Sequence, residues 1–152
     1  QDSEFFENSV LYYGGGMHVT TRGGDVAVDL VDTLFYDNEA SYYGAALYLY
    51  QYWSGGNEFH ITCTDTDPED GIRSGFIRNT STYAWANYGA IYAYAYYYYG
   101  ESTFESVGCD FGVEESDDDN NPSDLYWYAQ WPAQTYNYDD NVTFMCEGQT
   151  CQ

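Results

Sequence analysis

The sequence predicts an all-β chain, a short parallel β-solenoid of about three to four coils ended by an irregular aromatic tail. Three observations predict it. A motif of Phe, Asn and small residues recurs along the chain. After each copy, side chains alternate with period two, the mark of a strand. No segment of the 152 residues has the apolar spacing of a long amphipathic helix.

The first copy reads Phe5-Phe6-Glu7-Asn8, a link to Tyr13, then Gly14-Gly15-Gly16-Met17. The second reads Phe35-Tyr36-Asp37-Asn38, a link to Tyr43, then Gly44-Ala45-Ala46-Leu47. The third is Phe76-Ile77-Arg78-Asn79, a longer link over 80–88, then Gly89-Ala90-Ile91. In a solenoid each coil buries its inner residues on the coils above and below. The recurring Phe then fills one interior slot. The recurring Asn hydrogen-bonds its own copies in a ladder, and the small residues let the backbone turn tightly. Phe104-Glu105-Ser106-Val107 reads as a fourth copy that has lost its Asn. The rival fold is an antiparallel sandwich in which the motifs recur by coincidence.

The strands follow in order. Met17, Val19 and Thr21 share one side, as do Leu47, Leu49 and Gln51, and then Ile91, Ala93 and Ala95. The other side reads His18 and Thr20, then Tyr48, Tyr50 and Tyr52, then Tyr92, Tyr94 and Tyr96. Coils stacked at about 4.8 Å would lay Tyr on Tyr, making Tyr48, Tyr50, Tyr92 and Tyr94 an exposed aromatic outer face. Further strands are expected over 26–34, 59–63 and 103–111, with loops at 54–57, 65–71 and 114–124. The organisation is then solenoid repeats over 1–113, an acidic linker loop over 114–124 and an aromatic, Cys-containing tail over 125–152. Leu125, Tyr126, Trp127, Tyr128, Trp131 and Tyr136 form too apolar a patch to face water. The tail therefore caps its own last coil or contacts the next subunit, with Trp127, Trp131 and Tyr136 in that contact.

Composition narrows the function. Three Lys+Arg stand against 25 Asp+Glu, a net charge of −22. That argues against nucleic-acid partners, because phosphate contacts need clustered cations, and against anionic membranes. Leu, Ile, Val and Phe make up only about 17% of the chain, a fraction that normally accompanies disorder. Twenty Tyr and four Trp supply the missing burial. No stretch approaches the roughly 20 apolar residues of a membrane helix, and no charged apolar leader opens the chain.

Four cysteines, Cys63, Cys109, Cys146 and Cys151, in a small Lys-free chain point to disulfides and an oxidising compartment. Cys63 and Cys109 lie at nearly the same phase of consecutive coils, 19 and 20 residues after Gly44 and Gly89. They are expected to pair, leaving Cys146 with Cys151 in a tight loop or between subunits. A zinc site is the rival, but neither His18 nor His60 lies near the Cys146/Cys151 pair. Both histidines read as surface strand residues without partners. Sequons begin at Asn79 and Asn141. An Asn in a ladder cannot carry a glycan, so Asn141 is the expected glycan site and Asn79 a ladder residue. Asp65-Thr66-Asp67-Pro68-Glu69-Asp70-Gly71 puts oxygens at alternating positions as calcium loops do, with Asp65, Asp67 and Asp70 the candidate ligands, but a solvated acidic loop is the preferred reading.

The F-x-x-N and G-G-A-[ILV] elements, at Phe5–Asn8 with Gly14–Met17, at Phe35–Asn38 with Gly44–Leu47 and at Phe76–Asn79 with Gly89–Ile91, resemble the repeats of polymorphic outer-membrane autotransporter adhesins and related surface proteins. The resemblance covers about residues 5 to 111. It implies a right-handed parallel β-helix and a role in surface display, adhesion or structure. The chain departs from that family in its few coils and in showing no membrane-barrel segment.

The leading expectation is a secreted or cell-surface structural subunit that polymerises end to end into an extracellular filament. Only four residues precede Phe5, so an uncovered first coil would invite strand addition by a copy of the chain. The second reading is a monomeric adhesin or glycan-binding module using the aromatic face. The third is a polysaccharide-active β-helix enzyme, which would need carboxylates on one face beside Arg or Lys. The chain has only Arg22, Arg73 and Arg78, no Lys, and no nucleophile motif or phosphate loop. No catalytic residue is assigned.

Overall fold

The computed structural model describes residues 3–52, 58–82, 89–96, 101–112, 117, 119–121, 123–129, 133–137, 144–146 and 149–150. The chain crosses the same sheets in the same order on successive passes. The first pass gives β1 (Ser3–Phe6), β2 (Ser9–Val10), β3 (Met17–Arg22) and β4 (Val26–Val31). The second gives β5 (Thr33–Tyr36), β6 (Glu39–Ala40), β7 (Leu47–Tyr52) and β8 (Phe59–Thr64). The third gives β9 (Gly75–Ile77), β10 (Thr80–Ser81), β11 (Ile91–Tyr96) and β12 (Glu101–Val107). The fourth touches the first two sheets through single bridges at Asp110 and Asn121, then supplies β13 (Leu125–Ala129) and β14 (Ala133–Asn137). β15 (Phe144–Cys146) pairs with β13, and β16 (Gln149–Thr150) turns back on β15 as the one antiparallel pairing among the described strands.

The sheets run β1-β5-β9, β2-β6-β10, β3-β7-β11-β13-β15-β16 and β4-β8-β12-β14. The described residues are therefore all-β, and apart from the β15-β16 pair their strands pair in parallel, an arrangement compatible with a β-solenoid. The register is the one the repeats predict. Phe5 faces Phe35 and Phe35 faces Phe76; Met17 faces Leu47 and Leu47 faces Ile91.

Two periodic features hold the passes together. Phe5, Phe35, Phe76 and Phe111 stack in one column, with ring centroids 4.7, 5.0 and 5.3 Å apart. Beside it runs a ladder of amides. Asn8 Nδ2 donates to Asn38 Oδ1 at 2.9 Å, Asn38 Nδ2 to Asn79 Oδ1 at 2.9 Å, and Asn79 Nδ2 to Asn120 Oδ1 at 3.0 Å. Each Nδ2 from Asn38 onward also donates to the carbonyl of the Phe one pass earlier: Phe5, Phe35 and Phe76. The residue before each of the first three asparagines bends the chain through a left-handed corner: Glu7, Asp37 and Arg78 have φ of 51°, 53° and 53°. Gly112, directly after Phe111, also has a positive φ, 84°. A left-handed non-glycine residue costs about 1–2 kcal/mol, so the columns on either side must fix these corners.

The structure corrects several expectations. The strand expected over 26–34 is two strands, broken at Asp32, which has φ 47° and accepts hydrogen bonds from the Thr66 N–H and hydroxyl at 2.8 Å. These bonds hold the Asp32 carboxyl below the usual carboxylate range. Phe104 is not the start of a fourth copy. It lies in β12 opposite Ile61, and the fourth rung is Phe111 with Asn120, separated by an acidic insertion. Gly89 aligns with Ala45 rather than Gly44, since Ile91 pairs with Leu47. Gly14 and Gly44 take the left-handed turn, whereas Gly89 is needed for close approach: a Cβ there would collide with the Ser123 carbonyl. The 114–124 stretch expected as a loop carries Asn120, Ser123 and Asp124, all buried. The expected tail continues the sheets through β13 and β14. Trp127, expected at a subunit contact, is 1% exposed in the core beside Phe104, so its ring does not face a partner.

Cys63 and Cys109 form a disulfide. The register partner of Cys63 is Ser106, and Cys109 reaches it after the turn at Gly108. Its loop spans 46 residues, so the chain-entropy model gives about 4 kcal/mol of stabilisation. Reduction is expected to lower the urea midpoint correspondingly, and a midpoint indifferent to reductant would refute this.

Candidate functional site

The surface of the β3-β7-β11-β13 sheet is a grid of stacked rings. Period-two alternation turns Leu47, Leu49, Ile91, Ala93, Leu125 and Trp127 into the core and leaves the intervening tyrosines on the other face. Tyr48, Tyr92 and Tyr126 stack at 5.3 and 5.2 Å, and Tyr50, Tyr94 and Tyr128 at 5.1 and 4.6 Å. Neighbouring columns lie about 6 Å apart, with Tyr48–Tyr50 at 6.2 Å and Tyr92–Tyr94 at 6.1 Å. Two corner tyrosines extend the grid sideways: Tyr13 stacks on Tyr48 at 4.8 Å and Tyr43 on Tyr92 at 4.9 Å.

This grid corrects the expected exposed outer face. Tyr48 and Tyr92 are buried, at 8% and 7% exposure, because Tyr13 and Tyr43 cover them; Tyr50 and Tyr94 are half-buried. Burial, followed by the neighbouring Tyr13, Tyr50, Tyr43 and Tyr94, pushes the Tyr48 hydroxyl far above the usual phenol range. Tyr50 is raised by burial and by Tyr52, and Tyr36 by burial and by Glu4, Glu7 and Asp37. A phenol raised on folding contributes stability that is complete below its unfolded value near pH 10 and lost as pH rises through the folded one. Alkaline unfolding is therefore expected above about pH 10. Tyrosinate absorbance should lag free tyrosine and then rise together with loss of the β signal. A titration superimposable on free tyrosine would refute this.

The ladder has two different ends. At the far end Asn120 Nδ2 donates to Asp124 Oδ1 at 2.8 Å, so a buried carboxylate takes the place of a fifth amide. At the near end Asn8 is exposed. The first-pass residues Phe5, Met17 and Val19 are only partly buried, whereas Phe35, Leu47 and Leu49 are 0% exposed. Phe6, Leu11 and Tyr12 stand exposed on the same pass.

The remaining expected sites are placed as follows. Asn79 is fully buried, and its Nδ2 donates to both Phe35 and Asn120, so it is a ladder residue whose amide is not presented for glycosylation. Asp65 and Asp70 turn their carboxylates onto the backbone N–H groups of Asp67 and Ile72. Among the described residues no group of three or more His, Cys, Asp or Glu is placed to hold a metal, so Asp65, Asp67 and Asp70 form no calcium cage. The histidines do have partners: His18 meets Thr20 at 2.8 Å, and His60 meets Thr103 at 2.6 Å and Glu58 at 3.2 Å. Arg73 pairs with Asp110 at 2.7 Å. Arg78 grips Asp37, holding that carboxyl below the usual range. Cys146 lies in β15 and Tyr136 in β14, where it pairs by backbone register with Phe104. Asn141, Trp131 and Cys151 lie outside the described residues.

Sequence reasoning missed Phe111, Asn120 and Asp124 because the acidic insertion hides the F-x-x-N spacing. The alternation of Leu125-Tyr126-Trp127-Tyr128 matches Ile91-Tyr92-Ala93-Tyr94 and was the available signal. No helix among the described residues is long and apolar enough to cross a membrane. No protein-family model, curated protein or solved structure matches the chain.

Proposed function

We propose that this chain is a secreted, right-handed parallel β-solenoid module with a structural role, which stacks end to end on copies of itself to extend into an extracellular filament. The observation that carries the reading is the repetition of the Phe column and the Asn ladder from pass to pass: each rung offers its neighbour the same apolar slot and the same amide. Parallel strands in matched register continue that repetition across the sheets. A strand edge at the end of such a stack is a template for another strand. Right-handedness is supported by the strong preference of parallel crossovers for that hand and by the likeness of the repeats to surface β-helices. The disulfide supports an oxidising, extracellular setting. Stacking of this kind is non-catalytic and needs no cofactor.

Two bodies of −22 charge repel one another, and the repulsion is screened beyond about 10 Å at 0.1 M salt. Filaments are therefore expected to lengthen as salt and protein concentration rise. Negative-stain images and sedimentation would test this, and a monodisperse monomer at high concentration and high salt would overturn the proposal. A glycan-binding role is less well supported, because Tyr92 and Tyr94 have ring neighbours on both faces and leave little face for a sugar to stack on.

A further inference from the structure

The outer tyrosine column carries a second inference, independent of filament growth. Tyr50, Tyr94 and Tyr128 hold one register position on β7, β11 and β13. Their rings are parallel within 0° and 6°, at 5.1 and 4.6 Å. All three are half-buried, so each keeps an accessible edge, whereas Tyr48 and Tyr92 in the adjacent column are covered. The Cys63–Cys109 disulfide is compatible with an oxidising setting. Two phenols held at fixed separation need no encounter step to react, and such intramolecular reactions reach very high effective concentrations.

We propose that Tyr94 and Tyr128 are a site of oxidative cross-linking, in which hydrogen peroxide acting through a peroxidase joins their rings as dityrosine. Each phenol gives up one electron and its hydroxyl proton, leaving two tyrosyl radicals. The two electrons and two protons reduce one hydrogen peroxide to two waters. One ortho carbon of each ring then forms a carbon–carbon bond with the other. The two ortho hydrogens leave those carbons as protons and return to the phenol oxygens, restoring both rings. The partly exposed ring edges give the rings room to tilt from stacking into bonding. The product ties the third pass to the fourth, a second covalent tie beside the disulfide. Tyr50 competes for Tyr94 at the longer distance.

The test uses the full chain, dilute enough to suppress contact between molecules, with hydrogen peroxide and a peroxidase. The expected result is dityrosine fluorescence in a product of monomer size that has lost two hydrogen atoms, with the cross-linked peptide containing Tyr94. Tyr94→Phe keeps the ring stack and should remove most of that signal, while Tyr12→Phe, at an exposed tyrosine outside the column, should leave it intact. Circular dichroism of both variants confirms that the fold is kept. Absence of dityrosine, cross-links only between chains, or a monomeric yield unchanged by Tyr94→Phe would each overturn the proposal.

Discussion

Asn79→Ala is expected to destabilise the chain by about 4 kcal/mol or more. Asn79 is fully buried and sits between two other amides. Its Oδ1 accepts from the backbone N–H and Nδ2 of Asn38, at 3.2 and 2.9 Å. Its Nδ2 donates to the Phe35 carbonyl and to Asn120 Oδ1. Truncation strands all these groups away from water, at about 1–3 kcal/mol for each that finds no substitute. Asn79→Asp is the sharper probe. It keeps an acceptor for Asn38 but brings a charge against the Phe35 carbonyl and Asn120 Oδ1, and should be at least as damaging as Ala. Urea unfolding measures both. A loss below about 1 kcal/mol for Asn79→Ala would mean that water replaces the ladder bonds without penalty.

Phe76→Ala is expected to cost about 3–5 kcal/mol, from lost burial and the cavity left between neighbours. The ring is 0% exposed and stacks on Phe35 and Phe111 at 5.0 and 5.3 Å. Phe5→Ala removes the same side chain from the same column but at its partly exposed end, where the ring stacks on Phe35. It should cost less than half as much. Equal costs would contradict a core built by nearest-neighbour stacking, because they would require the end ring to be as well packed as the central one.

The columns were legible because their signal is local. Phe35-Tyr36-Asp37-Asn38 repeats Phe5-Phe6-Glu7-Asn8 without a gap, and matched registers follow once the copies stack. The inward Leu47, Leu49, Ile91 and Ala93 were read from alternation alone, for the same reason. The break at Asp32 was not legible, since no Gly or Pro marks it and the corner is held by Thr66, 34 residues away. The burial of Tyr48 and Tyr92 also escaped the pattern. Alternation tells which face a side chain takes, not that Tyr13 and Tyr43 fold over that face from the preceding corner. Trp127 failed in the opposite sense: an aromatic run looked like a surface patch, while alternate residues of it point to opposite sides of one strand.

The unequal lengths of the passes have an evolutionary consequence. Phe5 and Phe35 are 30 residues apart and Phe35 and Phe76 are 41 apart, yet the rings stack with nearly the same spacing. The surplus chain is accommodated in the connections between strands, and none of it enters the columns. Even the insertion between Phe111 and Asn120 leaves the ladder unbroken. A connection can thus gain or lose residues without altering any column. A whole pass duplicated in the gene would also fit, because every rung presents to the rung above what it receives from the one below. Asp124 is the exception: its carboxylate accepts from Asn120 but has no amide hydrogen to hand on. Lengthening by duplication is therefore open along the ladder from Asn8 to Asn120, while at Asp124 the series of amides gives way to a carboxylate.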